Sequence, residues 1–227
     1  MKRFFVFVFA VLLVALVAPA AAETWGNLGA GTASEGFGYT GGGPIYTLGL
    51  DCQTERGLLL LDGKYFEADK AYGLSVDGYN LRGAYYRRFG ESRMFLGGGL
   101  TYGAAFGTRG VNYGKGSTRA EVGVVIDTDV RYILGAFGPV DDPNEMWGGR
   151  AQVDLPLFPR AQANSLSFAT NHFRGSGVPA SESKHLLRLE GLVGDFKASD
   201  ACQADCERAT DGQVRLLYVY RVPFGTR

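Results

Sequence analysis

Residues 118–136 read TRAEVGVVIDTDVRYILGA. This stretch decides the fold because its polarity changes at almost every step. Thr118, Ala120, Val122, Val124, Ile126, Thr128, Val130, Tyr132, Leu134 and Ala136 carry no charge. The interleaved set is Arg119, Glu121, Gly123, Val125, Asp127, Asp129, Arg131, Ile133 and Gly135, of which five are charged. Successive side chains of a strand point to opposite faces, so the stretch separates an apolar surface from an ionic one. It is expected to form one long strand over 118–137.

The same period of two recurs on both sides. Met94, Leu96, Gly98, Leu100, Tyr102, Ala104 and Phe106 share a face, as do Trp147, Gly149, Ala151, Val153, Leu155 and Leu157. Leu187, Leu189, Gly191 and Val193 oppose Arg188 and Glu190, and Val214 to Phe224 alternate with Gln213, Arg215 and Arg221. Tyr79, Leu81, Gly83 and Tyr85 oppose Arg82, and upstream of Gly78 the phase shifts to Leu74 and Val76, which suggests a bulge there. Up to ten strands result, near 25–40, 44–52, 57–66, 72–89, 94–107, 118–137, 147–157, 163–173, 184–196 and 213–224. Glycine and proline clusters at 41–44, 90–93, 138–145 and 175–183 separate several of them.

The chain has 227 residues, 34 of them Gly, with 23 Lys+Arg against 23 Asp+Glu. Zero net charge without a basic cluster argues against a nucleic-acid partner. A hydrophobic content of 46% is too high for a disordered chain. Residues 1–22, MKRFFVFVFAVLLVALVAPAAA, read as a signal peptide: Lys2 and Arg3, an apolar run from Phe4 to Val17, then small residues before a cut after Ala22. Residues 23–227 are then a single β-barrel with a formal charge of −2, since Lys2 and Arg3 leave with the leader.

Alternation alone does not say which face is inside. A soluble barrel binding an apolar ligand buries the oily face, and a membrane barrel exposes it. Strand length, often eleven or more residues, suits a tilted crossing of the hydrocarbon layer. The ionic face is rich in Arg rather than Lys and mixed in sign, which suits a packed lumen of forked ion pairs. Aromatics gather near strand ends, at Tyr85, Phe89, Phe95, Phe106, Phe137, Trp147, Phe158 and Phe224. The expectation is an all-β, antiparallel up-and-down transmembrane β-barrel of eight to ten strands. Its lumen network comprises Arg82, Arg119, Glu121, Asp127, Asp129, Arg131, Arg150, Asp154, Arg188, Glu190 and Arg215, joined by Arg88 and Arg221. With so few strands the lumen is expected to be filled, making the protein structural or adhesive, or at most weakly pore-forming and porin-like. An even strand count puts both termini on the periplasmic side and the longer connections near 107–117 and 197–212 outside.

On these grounds, and on its final strand Gln213 to Phe224, the chain resembles small outer-membrane β-barrel proteins of Gram-negative bacteria. The resemblance implies residence in the outer membrane, contact with outer-membrane lipid and insertion by the barrel assembly machinery, which reads a terminal aromatic. Here Gly225-Thr226-Arg227 follow Phe224.

A narrower similarity concerns His172, in Asn171-His172-Phe173-Arg174-Gly175-Ser176, which alternation with Leu166, Phe168 and Thr170 places on the apolar face. With the ending Tyr220-Arg221-Val222-Pro223-Phe224 it is similar to the outer-membrane lipid A deacylases. That similarity implies an esterase in which Ser176 attacks, His172 is the base and Glu190 (or Glu182) orients it. The family has its Ser two residues after the His and an Asn next. This chain has Arg174 and Gly175 there.

The remaining chemistry is sparse. Cys202 and Cys206 lie in a polar connection, where export favours a small disulfide; metal capture with Asp200, Asp205 and Glu207 is the alternative. Cys52 is left as a buried thiol or as a partner for either loop cysteine. His185 reads as interfacial. Gly107 to Gly116 leads from strand to strand, so it is not a phosphate loop. No cofactor and no catalytic metal are expected, and oligomeric state is open.

Overall fold

The computed structural model describes residues 23–34, 43–71, 74–107, 117–140, 147–157, 183–197 and 208–224. Ten strands run in chain order: β1 (Glu23–Ala33), β2 (Pro44–Gln53), β3 (Gly57–Ala71), β4 (Leu74–Arg88), β5 (Met94–Gly107), β6 (Ser117–Asp127), β7 (Arg131–Pro139), β8 (Trp147–Pro156), β9 (His185–Lys197) and β10 (Arg208–Phe224). Each pairs antiparallel with its sequence neighbours, and β1 pairs with β10, closing the barrel.

The closure is staggered. Stepping from Asp51 across successive pairings through Leu60, Ala84, Gly99, Glu121, Phe137, Gly148 and Gly194 leads to Asp211 on β10. Stepping the other way, through Trp25, leads to Pro223, twelve residues further along the same strand. Such a stagger requires the strands to lean roughly 40° from the barrel axis.

The stretch expected to be one strand is a hairpin. Residues 128–130 form a turn, and Asp127 pairs with Arg131, Val124 with Leu134 and Val122 with Ala136. Partners across this hairpin have the same parity because the turn has three residues. The alternation therefore runs through it without a break, and period alone could not mark the reversal. The strand expected at 163–173 lies outside the described residues. The barrel closes without it, because β8 pairs directly with β9 from Pro156–Leu186 onward. The bulge expected near Gly78 is displaced as well. Pairing of β3 with β4 is regular from Arg87 through Val76, and the register shifts further out, between Ala68 and Ala71.

All even connections of the chain return to the end that holds both termini: 54–56, 89–93, 128–130 and 157–184. The others, including 108–116 and 198–207, lie at the opposite, far end. Three of the four connections at the terminus end are tight turns.

Polarity is inverted relative to a soluble protein. Val122 is 68% exposed, and Leu28, Leu100, Leu134, Val193 and Val214 are also exposed on outward positions. Arg131 and Arg221, pointing inward, are 2% and 0% exposed. Exposed aromatics form two belts, Tyr85, Tyr132, Tyr218 and Tyr220 toward the terminus end and Tyr46, Tyr102 and Trp147 toward the far end. Between the belts no outward position carries a charge among the described residues. The nine-residue outer row of β6, from Thr118 to Ile126, spans about 20 Å along the axis at ordinary strand rise and tilt. Water would not tolerate so wide an oily wall, and a bilayer requires one. The chain is a transmembrane antiparallel β-barrel.

Candidate functional site: the ionic lumen

The lumen is built from inward positions of every strand, and three hydrogen-bonded clusters fill it. The first lies toward the terminus end. Arg131 on β7 donates through Nη1 to Asp51 Oδ2 at 2.7 Å and through Nε to Asp127 Oδ1 at 3.1 Å. Arg221 on β10 donates to the same Asp51 Oδ2 at 3.1 Å and to Asn27 Oδ1 at 3.0 Å, while Asn27 Nδ2 donates to Asp51 Oδ1 at 2.7 Å. The Arg221 guanidinium also stacks 4.7 Å from the centre of the Trp25 ring. In a ring of ten, β2 and β7 are five strands apart, so the Asp51–Arg131 pair crosses the full bore.

The second cluster bridges alternate strands. Arg82 on β4 grips Glu121 on β6 with two bonds, at 2.9 and 2.6 Å, and Tyr86 Oη donates to Glu121 Oε1 at 2.8 Å. Arg150 on β8 approaches the other Glu121 oxygen at 3.5 Å and donates to Gln152 at 2.7 Å. Gln152 donates to Asp154, which receives a two-bond fork from Arg188 at 2.7 and 3.0 Å. Intervening strands contribute glycine where these side chains pass. A Cβ at Gly135 of β7 would sit 3.1 Å from Glu121 Oε1, and one at Gly99 of β5 would strike the Gly83 carbonyl oxygen.

The third cluster lies toward the far end. Lys64 on β3 contacts Asp62 and reaches Glu190 Oε1 on β9 at 2.9 Å, a second brace across the bore. Thr47 donates to Asp62 at 2.9 Å, and Arg215 stands 3.8 Å from the other Glu190 oxygen. Apolar side chains complete the fill: Leu58, Leu60, Ala84, Tyr86, Phe95, Val125 and Ile133 form one inward group, and Ile45, Leu186, Leu217 and Val219 another. Where the three clusters meet, a cavity of about 10 Å³ remains, lined by Asn27, Asp51, Asp62, Arg82, Arg131, Gln152 and Arg188 among others.

The residues expected in the lumen are distributed unevenly over this arrangement. Arg82, Glu121, Arg150, Asp154 and Arg188 share one cluster, Asp127 and Arg131 another, and Glu190 and Arg215 the third. Arg119 points toward the far end, its guanidinium 5.7 Å from the Phe137 ring centre. Asp129 belongs to the 128–130 turn and not to a strand. Asp51, Asp62, Lys64 and Asn27 were not anticipated. Asp51, Asp62 and Lys64 could have been found by carrying the alternation of Ile45, Thr47, Gly49 and Asp51 along β2 and continuing it through β3.

Of the expected esterase residues, only Glu190 falls among the described residues. His172 and Ser176 lie outside the described residues, as does Glu182. Glu190 faces the lumen against Lys64, whereas the reaction required it beside a histidine on the outer wall. Cys202 and Cys206 also lie outside the described residues. Cys52 is a buried free thiol receiving a 3.6 Å contact from Thr24 Oγ1, one residue from the terminus-end limit of β2. His185 faces outward in the belt of the terminus end, its Nδ1 2.7 Å from Tyr218 Oη and its ring 5.2 Å from that of Tyr220.

No protein-family model matches the chain, and no curated protein matches it. Among solved structures, the crystal structure of OccK11 (OpdR) of Pseudomonas aeruginosa matches with 11% identity over 89% of this chain and 96% of that one, at a TM-score of 0.25. A likeness that loose carries no argument, and the class of the protein rests on its own closed barrel and inverted polarity.

Proposed function

We propose that this chain is an integral β-barrel of the outer membrane of a Gram-negative bacterium, exported by its cleaved leader, with a closed lumen and a structural or adhesive role. The observation that carries the reading is the reversal of polarity: an uncharged outer wall between two aromatic belts, and guanidiniums buried at its centre. Helical membrane proteins and closed barrels are the two ways to satisfy every backbone group in lipid, and only the second is open to these strands. Tight turns at the terminus end support a periplasmic placement of both termini, with the 108–116 and 198–207 connections outside. Outer-membrane lipid and the barrel assembly machinery are the partners this placement requires.

Closure rests on the two braces across the bore. An ion would have to displace Asp51–Arg131 and Lys64–Glu190, and the cavity beside Asp51 and Arg131 is about 10 Å³. The same packing leaves no room among the described residues for an apolar ligand inside, which removes the support for a soluble carrier. The test is fractionation followed by bilayer recording. The protein is expected in the detergent-extracted outer-membrane fraction, and the purified protein is expected to give no stable channels. Recovery in the aqueous fraction would sink the membrane reading, and sustained large conductance would sink the closed lumen.

A further inference from the structure

The three ionic clusters meet at the central cavity. Arg131 has one free arm at that junction. Its Nε and Nη1 are engaged by Asp127 and Asp51, but Nη2 is fully buried and has no hydrogen-bond partner among the described residues. Arg131 lines the central cavity, together with Asp51 of its own cluster, Arg82, Gln152 and Arg188 of the second and Asp62 of the third. A buried guanidinium arm left unsatisfied is costly, and it needs an acceptor.

We propose that this cavity is a binding site for one water molecule, which accepts from Arg131 Nη2, donates to the facing carboxylates and joins the three clusters into one network. Size supports this occupant, since about 10 Å³ is close to the least that holds a single water. The chemistry of the lining selects it further. Three guanidiniums offer protons and two carboxylates, Asp51 and Asp62, demand them. Water serves both at once. A halide would satisfy the guanidiniums and meet the carboxylates as a like charge, and a metal cation would do the reverse. The water is therefore a structural part of the brace between β2 and β7, in the manner of other buried waters that bridge polar groups.

This inference rests on the packing of the lumen and not on membrane residence, so the two fail separately. The test is a high-resolution crystal structure of the detergent-extracted full chain, grown with bromide replacing chloride. The expected result is a single density peak within hydrogen-bond distance of Arg131 Nη2 and of an Asp51 or Asp62 oxygen, with no anomalous signal at the bromine edge. An anomalous peak would make the site an anion site and overturn the proposal. An empty cavity, or an Arg131 side chain repositioned so that Nη2 bonds directly to protein, would overturn it equally.

Discussion

A single carboxylate, Asp51, organises the terminus end of the lumen, because it accepts hydrogen bonds from Arg131, Arg221 and Asn27 together. Breaking a buried ion pair by removing one member strands the other, which typically costs about 3–5 kcal/mol, whereas replacing both members by packed apolar groups is often neutral. Asp51→Ala is therefore expected to lower unfolding stability by up to about that amount, since it leaves Arg221 without a carboxylate and Arg131 with Asp127 alone. Combining it with Arg131→Met should recover part of the loss, and Arg221 should keep the recovery incomplete. Urea unfolding in lipid vesicles, followed by tryptophan fluorescence, measures all three variants. Equal stability of Asp51→Ala and wild type would show that the pairs are not formed. Asp51 was hard to see in the sequence for a physical reason. It lies just before the Leu58–Leu61 run, where four leucines in a row hide the alternation. Leu58 and Leu60 face the lumen and Leu59 and Leu61 face out, because the lumen near the terminus end is itself partly apolar. An ionic face is legible only where the inward layer is ionic, as along β6.

At the scale of strands, period two identified the faces and failed at the reversals. The hairpin of β6 and β7 shows why: with three residues in its turn, inward and outward positions keep their parity from Arg119 to Phe137, so a two-strand element reads as one. Nothing in hydropathy marks the turn, and Asp129, in the middle of it, continues the ionic row by parity alone. The same parity makes a sharp prediction. Deleting Val124 shifts the rest of one strand by a residue and turns its side chains to the opposite face. That variant is expected not to assemble into a membrane-inserted barrel, whereas one Gly inserted between Thr128 and Asp129, in the turn, should be tolerated. Protease resistance after outer-membrane isolation separates the two. The lipid face has its own test in Val122→Arg. A guanidinium near mid-bilayer on an outward position costs roughly 2–4 kcal/mol. A matching loss in vesicle unfolding is expected, and no loss would mean that Val122 does not face lipid.

The whole molecule adds what no strand shows alone, namely which connections share an end of the barrel. The ring of ten returns the chain to the end from which it started, and that end carries turns of three, five and three residues together with the 157–184 connection. The far end carries the connections after β1, β3, β5, β7 and β9, that after β3 of two residues (72–73) and the others of seven to ten, while 157–184 at the terminus end is the longest of all. Outer-membrane barrels generally have short turns on the periplasmic side and longer loops outside. Three of the four connections at the terminus end follow this rule, and with the closed bore they make the proposed orientation testable without knowing a partner. In a background with Cys52, Cys202 and Cys206 replaced by Ser, a thiol at Val140→Cys should react with a membrane-impermeant maleimide on intact cells. A thiol at Asp129→Cys should react only once the outer membrane is permeabilised. The two positions lie at opposite ends of β7, so they differ in compartment and hardly in local structure. Because the lumen is braced by Asp51–Arg131 and Lys64–Glu190, the reagent has no route through the barrel to Asp129, and labelling of that site on intact cells means an inverted orientation or an open bore. Bilayer recording of the same variant distinguishes these, since inversion leaves conductance absent and an open bore does not.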